Sequence, residues 1–220
     1  MKYIYSFLFL LSAVSGFAQG MKPASANLLG GAAFSSFLYS GAVNPNINLG
    51  YTYGPQFHLN FQFEAKRHIL RPEIGYRRLG ATARIGDSPV NWKLQYADIN
   101  LAYLISAVKT PKFSLSPGIA YGVSFMTEGE QFIGSNRYTI SSPGFLKRLD
   151  LNGQFITQLR WNLNEQIHFM TEYRFGMSIL SIENNQNPQS TRNMYHSVLL
   201  GLGFSISTPK KEITTPTTFL

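Results

Sequence analysis

The segment Gln56–Lys66, QFHLNFQFEAK, sorts two chemistries onto alternate positions. Phe57, Leu59, Phe61, Phe63 and Ala65 fill one phase, and Gln56, His58, Asn60, Gln62, Glu64 and Lys66 fill the other. Only a β-strand, with its period of two, turns these sets to opposite faces; a helix would mix them around its axis. The same alternation returns in at least six further segments. The expected strands are Asn27–Leu38, Gln56–Lys66, Leu70–Arg78, Trp92–Ile105, Lys112–Met126, Leu149–Asn162, Ile167–Leu180 and Tyr195–Ser207.

The connections between these strands alternate in length. Stretches 39–55, 79–91, 127–149 and 181–193 are long, whereas 67–69, 106–111 and 163–166 are short. In an up-and-down barrel, all long loops then lie at one end and both termini join the short turns at the other. Alternation alone leaves open which phase faces inward. A secreted soluble barrel would put the apolar phase inside. Three features favour the inverse. The polar phase mixes opposite charges with Gly, Ser and Ala, as suits a crowded lumen. The apolar phase is nearly free of charge. Its aromatics Tyr76, Tyr103, Tyr121, Trp161 and Tyr173 suit interfacial girdles. The expected fold is therefore all-β, an eight-stranded antiparallel up-and-down transmembrane β-barrel of the outer-membrane type.

The beginning of the chain agrees with export. Lys2 precedes an apolar run from Tyr3 to Val14, and Gly16-Phe17-Ala18 supplies small residues at the −3 and −1 positions of a cleavage site. Residues 1–18 read as a signal peptide, 19–207 as the barrel and 208–220 as a flexible periplasmic tail broken by Pro209 and Pro216. The apolar run is short for a membrane helix. There is no cysteine, so no disulfide and no lipidated thiol, which suits the envelope of a Gram-negative cell. The net charge is +8, but the cations are scattered over strand ends, turns and the polar phase. That pattern argues against nucleic acid, which requires a clustered basic face. It fits contact with outer-membrane lipid and lipopolysaccharide, together with internal ion pairs.

Several strands carry recognisable wording. LRPEIGYRRLG (70–80), LQYADINLAYLIS (94–106), FSLSPGIAYGVSF (113–125) and LLGLGFSIS (199–207) together resemble strands of the PorT-like outer-membrane β-barrel family. Asn100 stands where the family often has Pro, and Leu199 where the closing segment usually has a polar residue. The resemblance implies an eight-stranded barrel in the outer membrane. The family's named member takes part in type IX secretion, whereas most relatives have no settled role, so the resemblance implies a fold and a membrane and adds little about function.

The residues that could carry chemistry lie in the polar phase. Glu64, Glu73, Asp98 and Glu172 accompany Lys66, Arg71, Arg77, Arg160 and Arg174. Paired carboxylates can act as general acid and base. In an eight-stranded barrel, however, the lumen is about wide enough for side chains alone. An unpaired charge there costs several kcal/mol, so these nine residues are expected to form a salt-bridged plug. A narrow channel is the alternative. No cofactor or metal is expected, because His58, His68, His168 and His196 are not at ligand spacing. A lipid-modifying Ser–His enzyme is disfavoured, because His196 and Ser197 are adjacent on a strand and point to opposite faces. Loop 127–149 holds Phe132, Ile133, Tyr138 and Phe145, and is the expected contact for a protein partner.

Overall fold

The computed structural model describes residues 20–40, 49–140, 146–183 and 190–206. The signal peptide expected over 1–18, the tail 208–220 and Phe145 lie outside the described residues.

The strands are β1 Lys22–Ser40, β2 Thr52–Ala65, β3 His68–Ile85, β4 Ser88–Ile105, β5 Val108–Lys109, β6 Phe113–Ile133, β7 Asn136–Thr139, β8 Leu149–Asn162, β9 Ile167–Ser178 and β10 Ser190–Ser205. Each long strand pairs antiparallel with the next long strand along the chain, and β6 follows β4 directly in the sheet. β1 pairs with β10 from Ser25↔Ser205 to Ser40↔Ser190. The eight long strands therefore close into a ring, in the order β1-β2-β3-β4-β6-β8-β9-β10. Closure gives every long strand a hydrogen-bonded neighbour on both sides, which an open sheet cannot do in lipid.

The polarity of this ring is inverted relative to a soluble protein. On β2, Gln56, His58, Asn60 and Gln62 are buried, while Phe57, Leu59 and Phe61 are about half exposed on the outer wall. Leu28, Ile74, Ile99, Ile119, Phe125, Phe155, Val198, Leu200, Leu202 and Phe204 continue that apolar wall around the ring. The soluble arrangement, with apolar residues inside, is thereby excluded. The fold is an eight-stranded antiparallel up-and-down β-barrel of the outer-membrane type. Phe113, Trp161 and Phe169 pack ring to ring on the outer wall, close to the short β8–β9 turn, as in an aromatic girdle.

Two expected loops are instead strand. Stretch 79–91 is the end of β3 and the start of β4, paired without a break to Ile85↔Ser88 and joined by Gly86-Asp87. Gly86 takes φ 59, the left-handed conformation that such a tight turn needs. The inward residues here include Ala81, Ala83 and Val90, too small to stand out as an apolar phase. Stretch 127–149 likewise holds the end of β6, a turn at Gly134 and then β7. A bulge explains why this strand is hard to see. The pairs Tyr96↔Met126 and Gln95↔Glu128 leave Thr127 as an extra residue, so the inner and outer phases of β6 swap beyond it. The strict alternation of long and short connections accordingly fails between β3 and β4. The short connection 106–111 holds β5, which pairs with β6.

The lumen is filled in layers. Towards the long loops, Ala33, Phe37, Leu79, Ala81, Leu94, Tyr96, Met126, Ile182 and Tyr195 form an apolar cap. Smaller clusters lie lower: Ile69, Ala102, Leu104, Ala120 and Ile156 on one side, and Leu29, Met170 and Leu199 on the other. The charged residues lie among these clusters.

The inverted polarity has a direct test. Ile74 is exposed and pairs with Leu59 on one side and Ile99 on the other, within the apolar wall. Ile74→Arg is expected to destabilise the barrel by about 2–4 kcal/mol, the cost of Arg near a bilayer midplane. Urea unfolding in lipid vesicles measures it, and a near-neutral result would contradict a lipid-facing Ile74.

Candidate functional site

The inner face of β3 presents Arg71, Glu73 and Arg77, and that of β9 presents His168, Glu172 and Arg174, each two or four residues apart as the strand period requires. In the ring order, three strands separate β3 from β9 in either direction. The two strands therefore face each other across the lumen. Their charges meet in a closed cycle. Arg71 Nε lies 2.6 Å from Glu73 Oε1, and Arg71 Nη1 2.5 Å from Glu172 Oε2. Arg174 Nη1 lies 2.7 Å from Glu73 Oε2, and Arg174 Nε pairs with Glu172 Oε1. All four side chains are fully buried. The signs alternate around the cycle and the formal charge cancels.

Amides surround this tetrad. Gln158 Oε1 accepts from Arg71 Nη1 at 2.6 Å and from Gln62 Nε2 at 2.9 Å. Gln154 Oε1 accepts from Arg174 Nη1 at 3.2 Å. His58 Nδ1 lies 3.5 Å from Glu73.

A second cluster lies nearer the long loops. Arg77 Nε is 3.3 Å from Asp98 Oδ2, and its Nη2 donates to Ser124 Oγ at 2.6 Å. Its guanidinium lies 4.6 Å from the Tyr195 ring centroid and donates to the Tyr195 hydroxyl. Asp150 belongs to the same region although the sequence reading does not name it. It accepts from Ser178 Oγ at 2.8 Å and Asn193 Nδ2 at 3.2 Å. Its signal was the same alternation, since Asp150 precedes Asn152 by two on the inner face of β8. Tyr195 fits only because β9 has a glycine opposite. A Cβ at Gly176 would lie 2.1 Å from Tyr195 Cζ, overlapping the hydroxyl end of the ring.

Glu64 and Arg160 lie at the turn end, partly exposed. Glu64 is 2.8 Å from Lys109 Nζ and 3.3 Å from Arg160 Nη1. A cavity of about 120 Å³ opens beside them, lined also by Gln62, Ser106, Ser114 and Gln158. Lys66, expected in the lumen, is not there. β2 ends at Ala65, and Lys66 is exposed in the turn with φ 54, so the period that would point it inward has already ended. Lys109 of β5 takes the place beside Glu64 that Lys66 was expected to hold.

The histidines are dispersed. His58 and His168 are buried on the inner face. His68 and His196 bond outer-wall tyrosines, His68 to Tyr103 at 2.6 Å and His196 to Tyr173 at 2.7 Å. Ser197 is buried on the inner face, so His196 and Ser197 are on opposite sides of β10. Among the described residues, no group of three His, Asp or Glu could hold a metal ion.

At the long-loop end the barrel continues as a ribbon. β2 pairs with β3 only as far as Gln56↔Arg77, and β8 with β6 only as far as Phe125↔Leu149. Beyond these points β3, β4, β6 and β7 go on pairing with one another. Phe132 and Ile133 are on this part of β6 and Tyr138 is on β7. The Lys93 ammonium sits 4.6 Å from the Phe132 ring centroid. Arg137 pairs with Glu130 and lies 3.7 Å from Glu128. Tyr138 is exposed, and Ile133 pairs with Val90 on the inner face.

No family model and no curated protein matches the chain. Among solved structures, it is similar to the outer membrane protein OprG from Pseudomonas aeruginosa, at 14% identity over 86% of this chain and 99% of that one, with TM-score 0.49. It is similar to Neisserial surface protein A at 10% identity over 81% and 96%, with TM-score 0.48. It is also similar to the attachment invasion locus protein of Yersinia pestis at 11% identity over 84% and 99%, with TM-score 0.46. At such identities the likeness is one of chain path and says nothing of role.

Two substitutions probe the interior. Glu172→Gln leaves Arg71 and Arg174 short of one carboxylate in a dry site, so it should cost about 3–5 kcal/mol. Gly176→Ala must displace the Tyr195 ring and with it a contact of Arg77, at about 1–3 kcal/mol. Urea titration of the refolded barrel, followed by tryptophan fluorescence, reads both. Wild-type stability of Glu172→Gln would mean that the cycle is not a structural tie.

Proposed function

We propose that this chain is a non-enzymatic barrel of the Gram-negative outer membrane, delivered by a signal peptide, that serves as an accessory or interaction subunit of an outer-membrane complex. The observation that carries this reading is the ionic cycle of Arg71, Glu73, Glu172 and Arg174. It joins opposite walls and occupies the middle of the lumen with its own side chains. A barrel whose interior is spent on itself is left with its wall and its rims as working surfaces. The wall meets lipid, and the scattered cations of the rim suit the phosphates of lipopolysaccharide. The ribbon of β3, β4, β6 and β7 carries an exposed Tyr138 and a partly exposed Phe132, the groups this reading assigns to a protein partner. Apolar and aromatic groups supply most of the binding energy of such contacts, whereas rim charges supply little.

The resemblance of strands 70–80 and 94–106 to the PorT-like family is consistent with such a subunit. Secretion, barrel assembly and nutrient uptake are the host machines this reading allows. Two experiments test it. Planar-bilayer recording should find no sustained conductance, and a stable ion-selective open state would favour a channel. The double substitution Phe132→Ser with Tyr138→Ser should leave the barrel folded and strongly reduce co-purification of its partner from gently solubilised membranes. A native protein that runs as a lone monomer, with nothing recovered by crosslinking, would refute the subunit role.

A further inference from the structure

Above the apolar cap, at the long-loop end, a recess of about 150 Å³ opens beside Phe37, Tyr39, Trp92, Ile140, Ile182 and Glu183. Phe37 and Ile182 are buried and make its floor, while Tyr39, Trp92 and Glu183 are partly exposed, so the recess can be reached from outside. Three aromatic rings meet there at steep angles. The Phe37 ring lies 6.5 Å from Tyr39 at 72° and 5.6 Å from Trp92 at 62°. Phe37 packs edge-to-face with both neighbours, so the three rings form one aromatic cluster along the recess.

One charge lines the recess. Glu183 accepts a hydrogen bond from Thr191 Oγ1 at 2.5 Å, which holds its carboxylate in place. Among the described lining residues there is no ammonium or guanidinium. Ring faces carry negative quadrupole charge and attract a cation within about 6 Å. A carboxylate beside them adds a full negative charge. Anions are disfavoured by both. A small metal ion is disfavoured too, because hard cations need several oxygen ligands, and among the described lining residues Glu183 is the one carboxylate, beside the side-chain oxygens of Gln131 and Thr191. What fits is a cation that carries its own apolar coat.

We infer that this recess binds a small organic ammonium ion, quaternary or alkylated, with its alkyl groups against Phe37, Tyr39 and Trp92 and its charge facing Glu183. The site requires only the folded barrel, so it stands or falls independently of the subunit role.

The test uses the full chain folded in octyl glucoside micelles, which contain no ammonium group. The chain has two tryptophans, so Trp161→Phe leaves Trp92 as the reporter. Choline is titrated beside 3,3-dimethylbutan-1-ol, its uncharged carbon isostere. The expected result is a saturable change in Trp92 fluorescence with choline and binding at least about tenfold weaker for the isostere. Glu183→Gln should narrow that gap to about twofold while the barrel keeps its heat-modifiable migration. Equal affinity for choline and its isostere in the parent chain would overturn the inference without recourse to any Glu183 variant. So would the absence of a saturable response to both choline and tetramethylammonium, or unchanged choline affinity in Glu183→Gln.

Discussion

The tie between β3 and β9 governs the interior of this barrel. With an apolar wall turned outward, the usual source of cohesion, a shared apolar core, is reduced to a cap and two small clusters. Opposite walls must then be joined by polar groups. Two arginines and two glutamates do this with alternating sign, so each charge has two partners and none is left over. The low dielectric that makes such a set costly to assemble also makes it costly to break. Gln62, Gln154 and Gln158 extend the same logic with neutral groups.

The second cluster is built on a different principle. Arg77 leans on the Tyr195 ring, and Asp98 and Asp150 flank it from β4 and β8. Tyr96 and Tyr195 belong both to this cluster and to the apolar cap above it. The cap thus separates the charged middle from the aromatic recess at the rim. Sealing the middle and opening the rim are two sides of one packing arrangement.

Much of this was legible in the alternation. Gln56–Lys66 alone declared strand and two-faced wall, and seven other segments set the ring size. The inner position of Arg71, Glu73, Arg77, Asp98, Glu172 and Arg174 followed from phase. What phase cannot say is who meets whom across the lumen, because that depends on ring order and register. The tetrad was therefore invisible as a tetrad. Other misses have local causes. Lys66 kept the phase on paper, but the strand ends one residue earlier. The end of β3 hid behind alanines, and the end of β6 behind the bulge at Thr127, which reverses the faces midway. An apolar-period reading fails wherever inward residues are small or an extra residue shifts the count.

The β1–β10 seam carries a consequence in time. The first strand can complete its pairing only with the last, so no shorter piece of the chain is a closed barrel. Arg71 and Glu172 are 101 positions apart, and neither is neutralised by the other until the sheet has curled round. Contacts so distant in sequence make for slow folding, because the entropy of ordering the chain is spent before the contacts form. While it waits, the chain exposes unpaired strand edges and a large apolar face. Such a chain is prone to aggregate until the last strand arrives and the seam can pair.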